Sequence, residues 1–364
     1  MTRESAFKQR VRARMAKTGE SYATARAHLH THQAQAQVDN RSGVLHVTNG
    51  DATVAPLRAA GIVEPILPWR DVLHEGPVPS GLADAELRRV RAEFIAGEDW
   101  GDLPDILRGF EDRDQQLADH ANDQLVLWFE ADLYDQLQLI EVLARLRRLG
   151  VAPERISLVS AGEFPGIAHF GGLGQLQAAD LLRLREDEIT VTQEALDIAA
   201  TAWDAFTSPN PSGLARVARI ESPVLRYLGE AFGRLMQEYP ALTDGLSLTQ
   251  RRILLAVEDG AENAGAAFAE VGRRERRPYL GDWPCFAIMR GLASGRQPLL
   301  ALGEGADFAR RTVELTDAGH EVLAGRADQL AYNGIDRWIG GVHLTDAETA
   351  WRYDERREII LAQP

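Results

Sequence analysis

Three carboxylates, Glu130, Asp132 and Asp135, lie within six positions of one another in the stretch FEADLYDQ. The residues before them, 125–129 (LVLWF), are continuously apolar and predict a buried strand, and apolar residues recur at helical spacing from Leu137. Clustered carboxylates raise one another's pKa or bind a metal. The stretch therefore predicts acid–base chemistry, with a divalent metal site as the alternative, although its spacing matches no known metal-ligand signature.

Part of this cluster has a purely structural explanation. Asp132 is a natural helix N-cap, and Asp135 and Gln136 fall in the first helical turn, where an acid favours the helix dipole. Glu130 lacks such an explanation, because the end of a buried strand is a costly place for a charge. We therefore predict Glu130 and Asp132 as catalytic residues, and Asp135 and Gln136 as substrate-binding residues.

A second group of chemically capable residues follows another predicted strand, in the stretch PWRDVLHEGP. Arg70 can bind an anion, His74 can titrate near neutrality, and Asp71 can accept a proton. We predict His74 as a catalytic residue, and Trp69, Arg70 and Asp71 as substrate-binding residues. The structural alternative is an ordinary surface loop with solvated charges.

The first predicted strand ends in Thr48, Asn49, Gly50 and Asp51, which we predict to bind an anionic group of the substrate. Gly50 permits close backbone approach, and exposed N–H groups at a helix start attract anions. The stretch is neither G-x-G-x-x-G nor a P-loop, so a nucleotide fingerprint is not present. A helix cap and a tight turn would explain Asn49 and Asp51 without any ligand.

The fourth predicted strand runs into SAGEFPGIAHFGGLG, which contains His169 and a pair of glycines. We predict His169 to contact substrate and the loop to be a lid or cradle, with a plain connection as the alternative. In open parallel sheets, ligands bind outside the carboxyl ends of the strands. Asp51, Arg70, Glu130 and the loop 161–172 should therefore line one pocket.

Strands alternating with helices must position these loops. The pattern predicts a mostly parallel sheet covered on both faces, followed by a winged-helix-like order of three helices, a strand pair and a helix. The predicted fold class is therefore α/β, with a Rossmann-like sheet and a helical, winged-helix-like C-terminal domain. The predicted divisions are a basic helical arm and linker (1–40), a Rossmann-like domain (41–192), a helical connector (193–240) and the winged-helix-like domain (241–364).

Composition narrows the function classes. The chain has 364 residues, 45% of them hydrophobic, and its single cysteine, Cys285, excludes an internal disulfide framework. No apolar stretch is long enough to span a membrane, and the first residues lack the apolar region of a secretory signal. A cytoplasmic location and no membrane partner are therefore expected.

Charge is unevenly distributed along the chain. The net charge is −14, yet residues 1–30 hold seven Arg or Lys and only two Glu. An acidic body disfavours general nucleic-acid binding, whereas the basic N-terminal arm could bind nucleic acid. The winged-helix-like stretch is close to neutral, and its arginine cluster at 273–277 is interpreted as a solvated helix end.

Several motifs occur together in one order: HVTNGD, LPWRDVLHEGPVP, LWFEADLYDQLQL and RPYLGDWPCFAIMRGLA. In these motifs the chain resembles, from about residue 44 to 345, a bacterial family called domain of unknown function 1835. The resemblance implies a Rossmann-like N-terminal portion and a helical, winged-helix-like C-terminal portion. It implies no established activity.

The residues favour an enzyme, a hydrolase or transferase acting on a small phosphorylated or nucleotide-like substrate. The alternative is a ligand-sensing regulator that binds nucleic acid through the winged helix or the basic arm. A scaffold without chemistry is a third interpretation. The sequence specifies neither a cofactor nor an oligomeric state.

Overall fold

A computed structural model describes residues 43–167, 170–345, 347–348 and 350–362. The predicted basic arm and linker at 1–40, and the predicted substrate contact His169, lie outside these residues. In chain order the strands are β1 (Val44–Thr48), β2 (Ile66–Pro68), β3 (Gly76–Pro77), β4 (Gln124–Glu130), β5 (Ile156–Ala161), β6 (Ile189–Thr190), β7 (Leu300–Leu302), β8 (Val313–Leu315), β9 (Arg337–Gly340), β10 (Val342–Leu344), β11 (Trp351–Asp354) and β12 (Ile359–Ala362).

The α-helices connect these strands, and short 3-10 turns occur at several loop positions. In chain order they are α1 (Val54–Ala59), α2 (Asp84–Gly97), α3 (Leu103–Asp119), α4 (Leu133–Arg148), α5 (Ala178–Glu186), α6 (Gln193–Thr207), α7 (Leu214–Val217), α8 (Leu228–Met236), α9 (Leu248–Glu258), α10 (Ala264–Arg274), α11 (Asp282–Leu292), α12 (Asp317–Leu323) and α13 (Gln329–Asn333). None of the helices in the described ranges is both long and apolar enough to cross a membrane.

The main sheet has five strands in the order β2-β1-β4-β5-β6. The pairs β2–β1, β1–β4 and β4–β5 are parallel, and β6 adds to the edge in the antiparallel direction. The prediction of a mostly parallel sheet built from four strands is thus confirmed, and β6 is an additional strand. The strand predicted at 125–129 is observed as Gln124–Glu130, one residue longer at each end, which is usual for strand boundaries.

Apolar residues on both faces of the strands explain why the sheet is buried. Leu45, Val47 and Leu127 pack into one cluster together with α4, α6 and α8. Val126 and Trp128 alternate with them and pack into a second cluster with α1 and α5. Because successive side chains of a strand point to opposite faces, helices on both sides are needed to cover such continuous apolar runs.

The strand order creates a crevice between β1 and β4. The chain leaves β1 toward β2 on one side, whereas β4 lies on the other side, with Thr48 paired in register with Trp128. This reversal is the topological switch point at which open α/β sheets bind ligands. The residues that follow β1 and β4 are therefore neighbours at one edge of the sheet.

Local signals fix the helix that follows β4. The Asp132 side chain accepts a hydrogen bond from the Asp135 N–H at 3.0 Å, which confirms its predicted role as N-cap. Arg145, Arg147 and Arg148 occupy the last turn, where cations favour the helix dipole. Gly150 follows with φ +71°, a conformation that glycine adopts at little cost.

Residues 246–327 contain α9, α10 and α11, the antiparallel pair β7–β8 and then α12, whereas a winged-helix fold for this part of the chain stays a prediction. Their apolar side chains form a core of their own, which includes Ile253, Val271, Met289 and Val322. Beyond it, β9 pairs in parallel with β3, and Ile339, Tyr353 and Ile360 join the core of the main sheet. The last described residues thus pack on the α/β part of the chain.

Candidate functional site at the carboxyl end of β4

The three carboxylates of the opening stretch meet at the crevice. One oxygen each of Glu130, Asp132 and Asp135 lies within 4.8 Å of the others. Glu130 ends β4, Asp132 caps α4, and Asp135 occupies the first turn of that helix. Asp135 also accepts a hydrogen bond from the Glu130 N–H, which fixes the two acids relative to each other. We call this set the carboxylate cluster.

Asn49, which follows β1, holds two of the acids together. Its Nδ2 donates to Asp135 Oδ1 at 2.9 Å and to Glu130 Oε1 at 3.3 Å. The amide orientation is set by Thr53, whose hydroxyl donates to Asn49 Oδ1 at 3.1 Å. The predicted proximity of the loops after β1 and β4 is therefore realised through direct contacts, and Asn49 orients carboxylates.

The glycine-rich loop after β5 closes over Glu130. The Leu173 N–H donates to Glu130 Oε1 at 2.6 Å. Gly172 has φ +133°, and a Cβ at this position would lie 2.3 Å from Glu130 Oε2. Only glycine allows the backbone to approach the carboxylate so closely, so this segment is a cradle for Glu130.

Burial and the repulsion between neighbouring acids raise the pKa values of the carboxylate cluster. Burial, and next the neighbouring Asp132, raise the pKa of Glu130 to about 8. Burial raises the pKa of Asp132 to about 7, although N–H donors at the start of α4 and the Arg277 guanidinium oppose the rise. Burial and the two other acids raise the pKa of Asp135 as well. At neutral pH the three groups therefore share protons unless a cation replaces them.

Arg277 is a site residue that the sequence analysis missed, because it was interpreted as part of a solvated helix end. It lies between α10 and α11, donates from Nη1 to the Gly162 carbonyl at 2.6 Å, and pairs with Glu230 at 3.0 Å. Its positive charge acts on Asp132. The neighbouring Arg276 is highly exposed, so the pattern of charges in the sequence could not distinguish the half-buried arginine from the exposed one. Arg277 is, however, the first residue of the motif RPYLGDWP.

Two acids of the cluster, Glu130 and Asp132, line a small cavity together with Gly171, Gly172 and Arg277. Its volume is about 10 Å³, which suits one water molecule or a metal ion and is far too small for a nucleotide. A substrate larger than an ion would therefore have to lie outside this cavity, at the open edge of the crevice.

Asp51 and Arg70, which were predicted to line one pocket with Glu130 and the loop 161–172, do not line this cavity. They form a bidentate ion pair with distances of 2.6 and 2.7 Å, and both side chains are about half exposed. The turn that contains Asp51 contacts the turn after Gly172, where Ala52 approaches Gly174. An exposed pair of this kind contributes little stability, so an anionic ligand could compete for Arg70.

Two more of the predicted residues, Thr48 and Gln136, donate hydrogen bonds to the backbone where β1 and β4 end. The Thr48 hydroxyl donates to the Gly50 carbonyl at 2.9 Å, and Gln136 donates to the Glu130 carbonyl at 2.6 Å. Both side chains are buried. A Cβ at Gly50 would meet nothing within 4 Å, which leaves open space above this backbone.

Trp69 and Asp71 make internal contacts away from the cluster. Trp69 is fully buried, donates to Glu141 at 2.8 Å, and lies under the Arg113 guanidinium. Asp71 forms a buried ion pair with Arg91 at 2.8 Å. These contacts explain both residues through packing and charge pairing.

His74 lies between two tyrosines, with ring centroids 5.7 Å from Tyr134 and 5.2 Å from Tyr279. Burial lowers the pKa of His74 to about 3, so the imidazole is neutral at physiological pH. Among the described residues neither ring nitrogen has a hydrogen-bond partner. The Tyr134 hydroxyl donates to the Asn49 carbonyl at 3.3 Å, so Tyr134 connects His74 with the loop that orients the cluster.

No protein-family model matches the chain, and a search of curated proteins finds no match. The resemblance to domain of unknown function 1835 therefore stays a prediction from motifs.

Proposed function

We propose that the protein is a metal-assisted hydrolase or transferase that acts on a small phosphorylated or nucleotide-like substrate at the carboxyl ends of β1 and β4. The observation that carries the proposal is the convergence of three carboxylates within 4.8 Å at the switch point of the sheet. Oxygen-only ligand sets of this kind suit Mg²⁺ or Mn²⁺. In this interpretation the sheet is Rossmann-like in two respects: helices cover both of its faces, and the substrate binds in the crevice between β1 and β4.

A divalent cation resolves an electrostatic conflict in the site. Three carboxylates beside a phosphate would repel it, and burial together with their mutual repulsion already raises the pKa values of Glu130 and Asp135. A bound cation would neutralise the acids and polarise a phosphoryl oxygen. Arg277 would supply further positive charge on the substrate side. Arg70 would do the same once its ion pair with Asp51 has opened.

The other residues have supporting roles in this proposal. Glu130 and Asp132 would hold the cation or accept a proton, and Asn49 would orient Glu130 and Asp135. His74 would act as a positioning residue through Tyr134, because its contacts are to aromatic rings and its imidazole is neutral.

The test is a turnover measurement with p-nitrophenyl phosphate and a panel of nucleoside phosphates, with Mg²⁺ or Mn²⁺ and with chelator. We expect metal-dependent phosphate release, reduced by roughly 100-fold or more in Glu130→Gln. Glu163→Gln is the matched control, because Glu163 lies on the loop after β5 and outside the cluster. Release that is equal in Glu130→Gln and in the parent would refute the assignment.

A ligand-sensing regulator remains the second candidate, because residues 246–327 have a separate core and a winged-helix-like element order. The arginines at the end of α10 support it less. Arg273 pairs with Glu270, Arg274 with Glu270 and Asp259, and Arg276 with Glu230. Duplex DNA bound tightly by a chain lacking residues 1–35, with affinity that falls steeply with salt, would favour this candidate.

A further inference from the structure

A second cavity lies outside the carboxylate cluster, between the end of α2, the start of α9, α11 and α13. Its volume is about 700 Å³, within the range of small-molecule sites. The proposed function makes no use of it. Glu75, from the PWRDVLHEGP motif, lines this cleft and also has no part in the proposed reaction.

Glu75 is held in place by its backbone. Its carbonyl accepts a hydrogen bond from Arg91 Nη1 at 2.7 Å, and its N–H donates to the Val72 carbonyl at 3.0 Å. The next residue, Gly76, has φ +73°, and a Cβ there would overlap the Phe94 ring at 2.4 Å. The position of Glu75 at the cleft wall is thus set by neighbours on both sides.

The Glu75 carboxylate has no hydrogen-bond donor among the described residues, although it is mostly buried. The nearby Arg337 donates instead to Glu238, at 2.8 Å to the carboxylate and 3.1 Å to the carbonyl. Glu238 is further paired with Arg234. Burial raises the pKa of Glu75 to about 7, although the charges of Arg337 and Arg91 oppose the rise.

The rest of the cleft is acidic on balance and partly aromatic. Glu98 lines it as well, and its charge raises the pKa of Glu75 further. Trp100 and Phe94 pack edge to face at 5.8 Å and form one wall, and Ile288 lies on the side of α11. The surface thus offers an unpaired carboxylate beside apolar area.

We propose that this cleft binds a small organic cation, an amine or amidine attached to a flat or apolar body, with Glu75 as its anionic partner. The cationic group would donate to the carboxylate that lacks a donor, and the body would pack against Trp100. A charged donor forms the stronger type of hydrogen bond to a carboxylate. Arg337 also lines the cleft, but it is paired with Glu238 at 2.8 Å, so an anionic ligand would meet the carboxylates of Glu75 and Glu98 and a cation that is already paired.

Three probes of one shape test this proposal: benzamidine, neutral benzamide and anionic benzoate, each titrated into the full chain by calorimetry at pH 8. We expect benzamidine to bind at least about tenfold more tightly than benzamide, and benzoate not to bind. Glu75→Gln should weaken benzamidine binding at least about tenfold. Glu93→Gln, an exposed acid on α2 outside the cleft, should leave it unchanged.

The pH dependence of benzamidine binding gives an independent test. Benzamidine stays charged between pH 6 and pH 8, whereas Glu75 ionises across this interval, so binding should strengthen as pH rises. The charges acting on Glu75 are Arg337 and Arg91, which favour its ionised form, and Glu238 and Glu98, which oppose it. Equal binding of benzamidine and benzamide, absence of benzamidine binding, or unchanged affinity in Glu75→Gln would overturn the proposal. Glu130→Gln should not alter benzamidine binding, which separates this site from the proposed reaction.

Discussion

At the scale of single residues, the groups that donate hydrogen bonds to the Glu130 carboxylate are polar and uncharged. Its carboxylate receives N–H groups from Asn49 and Leu173, while the nearest charges are the acids Asp132 and Asp135. Hydrogen bonds to the ionised form lower a pKa, whereas burial and like charges raise it. The raised pKa of Glu130 shows that the second pair of effects is larger.

This balance predicts a stability that falls with pH. The folded chain holds protons on the cluster up to about pH 8, whereas unfolded acids lose them near their ordinary values, so the free energy of unfolding should decrease between about pH 4 and pH 8. Glu130→Gln should raise it at pH 8 by about 1–3 kcal/mol and change it little at pH 4. Urea denaturation at both pH values measures this difference. The same effect at both would show that Glu130 ionises normally in the folded protein.

The cradle over Glu130 gives a second residue-scale prediction. Gly172→Ala places a Cβ against the carboxylate at positive φ, so we expect a loss of about 1–3 kcal/mol in the free energy of unfolding. Gly171→Ala is the control, because its Cβ would meet only the end of the flexible Gln175 side chain. Equal melting temperatures for the two variants would argue against the close approach at Gly172.

At the scale of elements, the loop after β2 is positioned by helix α2. Arg91 lies on this helix, is nearly fully buried, pairs with Asp71 and donates to the carbonyls of Val72, Glu75 and Pro77. One side chain thus satisfies the backbone of the segment that carries His74 and Glu75. The sequence analysis predicted Asp71 as a substrate-binding residue, with solvated charges as the alternative. The buried pairing with Arg91 could not be foreseen because the partners are 20 residues apart.

Removal of this arginine should therefore be severe. Arg91→Ala leaves Asp71 buried without its partner, and we expect a loss of about 3–5 kcal/mol in the free energy of unfolding. Arg89→Ala, at an exposed position of the same helix, should change it by less than about 0.5 kcal/mol. Chemical denaturation of both variants distinguishes the two positions. A small loss for Arg91→Ala would mean that water reaches Asp71 readily.

At the scale of the whole molecule, the long periodic elements were predictable and the short ones were not. The strand at 124–130 and the helix after it were predicted from the continuous apolar run 125–129 and from the helical spacing of apolar residues from Leu137. The two-residue strand β3 has no periodicity, and its partner β9 lies more than 250 residues later in the chain. Within the candidate site, the three acids and Asn49 were predicted from the sequence. Arg277 was not recognised, because its contact with Gly162 depends on how residues 246–327 pack on the sheet.

The return of the chain to the main core leads to a prediction about truncation. Ile339, Tyr353 and Ile360 pack with residues of the central sheet, and β9 continues from β3. A chain ending at residue 336 should therefore no longer unfold cooperatively in its α/β part. Thermal unfolding monitored by circular dichroism measures this change. An unchanged melting transition would show that residues 41–192 fold without this segment.

The central claim is that the carboxylate cluster takes a divalent cation in place of its protons. Calorimetric titration of Mg²⁺ and Mn²⁺ at pH 7, in two buffers with different ionisation enthalpies, measures affinity and proton release together. We predict binding with release of at least one proton, because the folded acids are partly protonated at this pH. We also predict affinity that rises from pH 6 to pH 8 and falls at least about tenfold in Glu130→Gln. Absence of binding at millimolar cation, or binding that releases no proton and is unchanged in Glu130→Gln, would contradict the account.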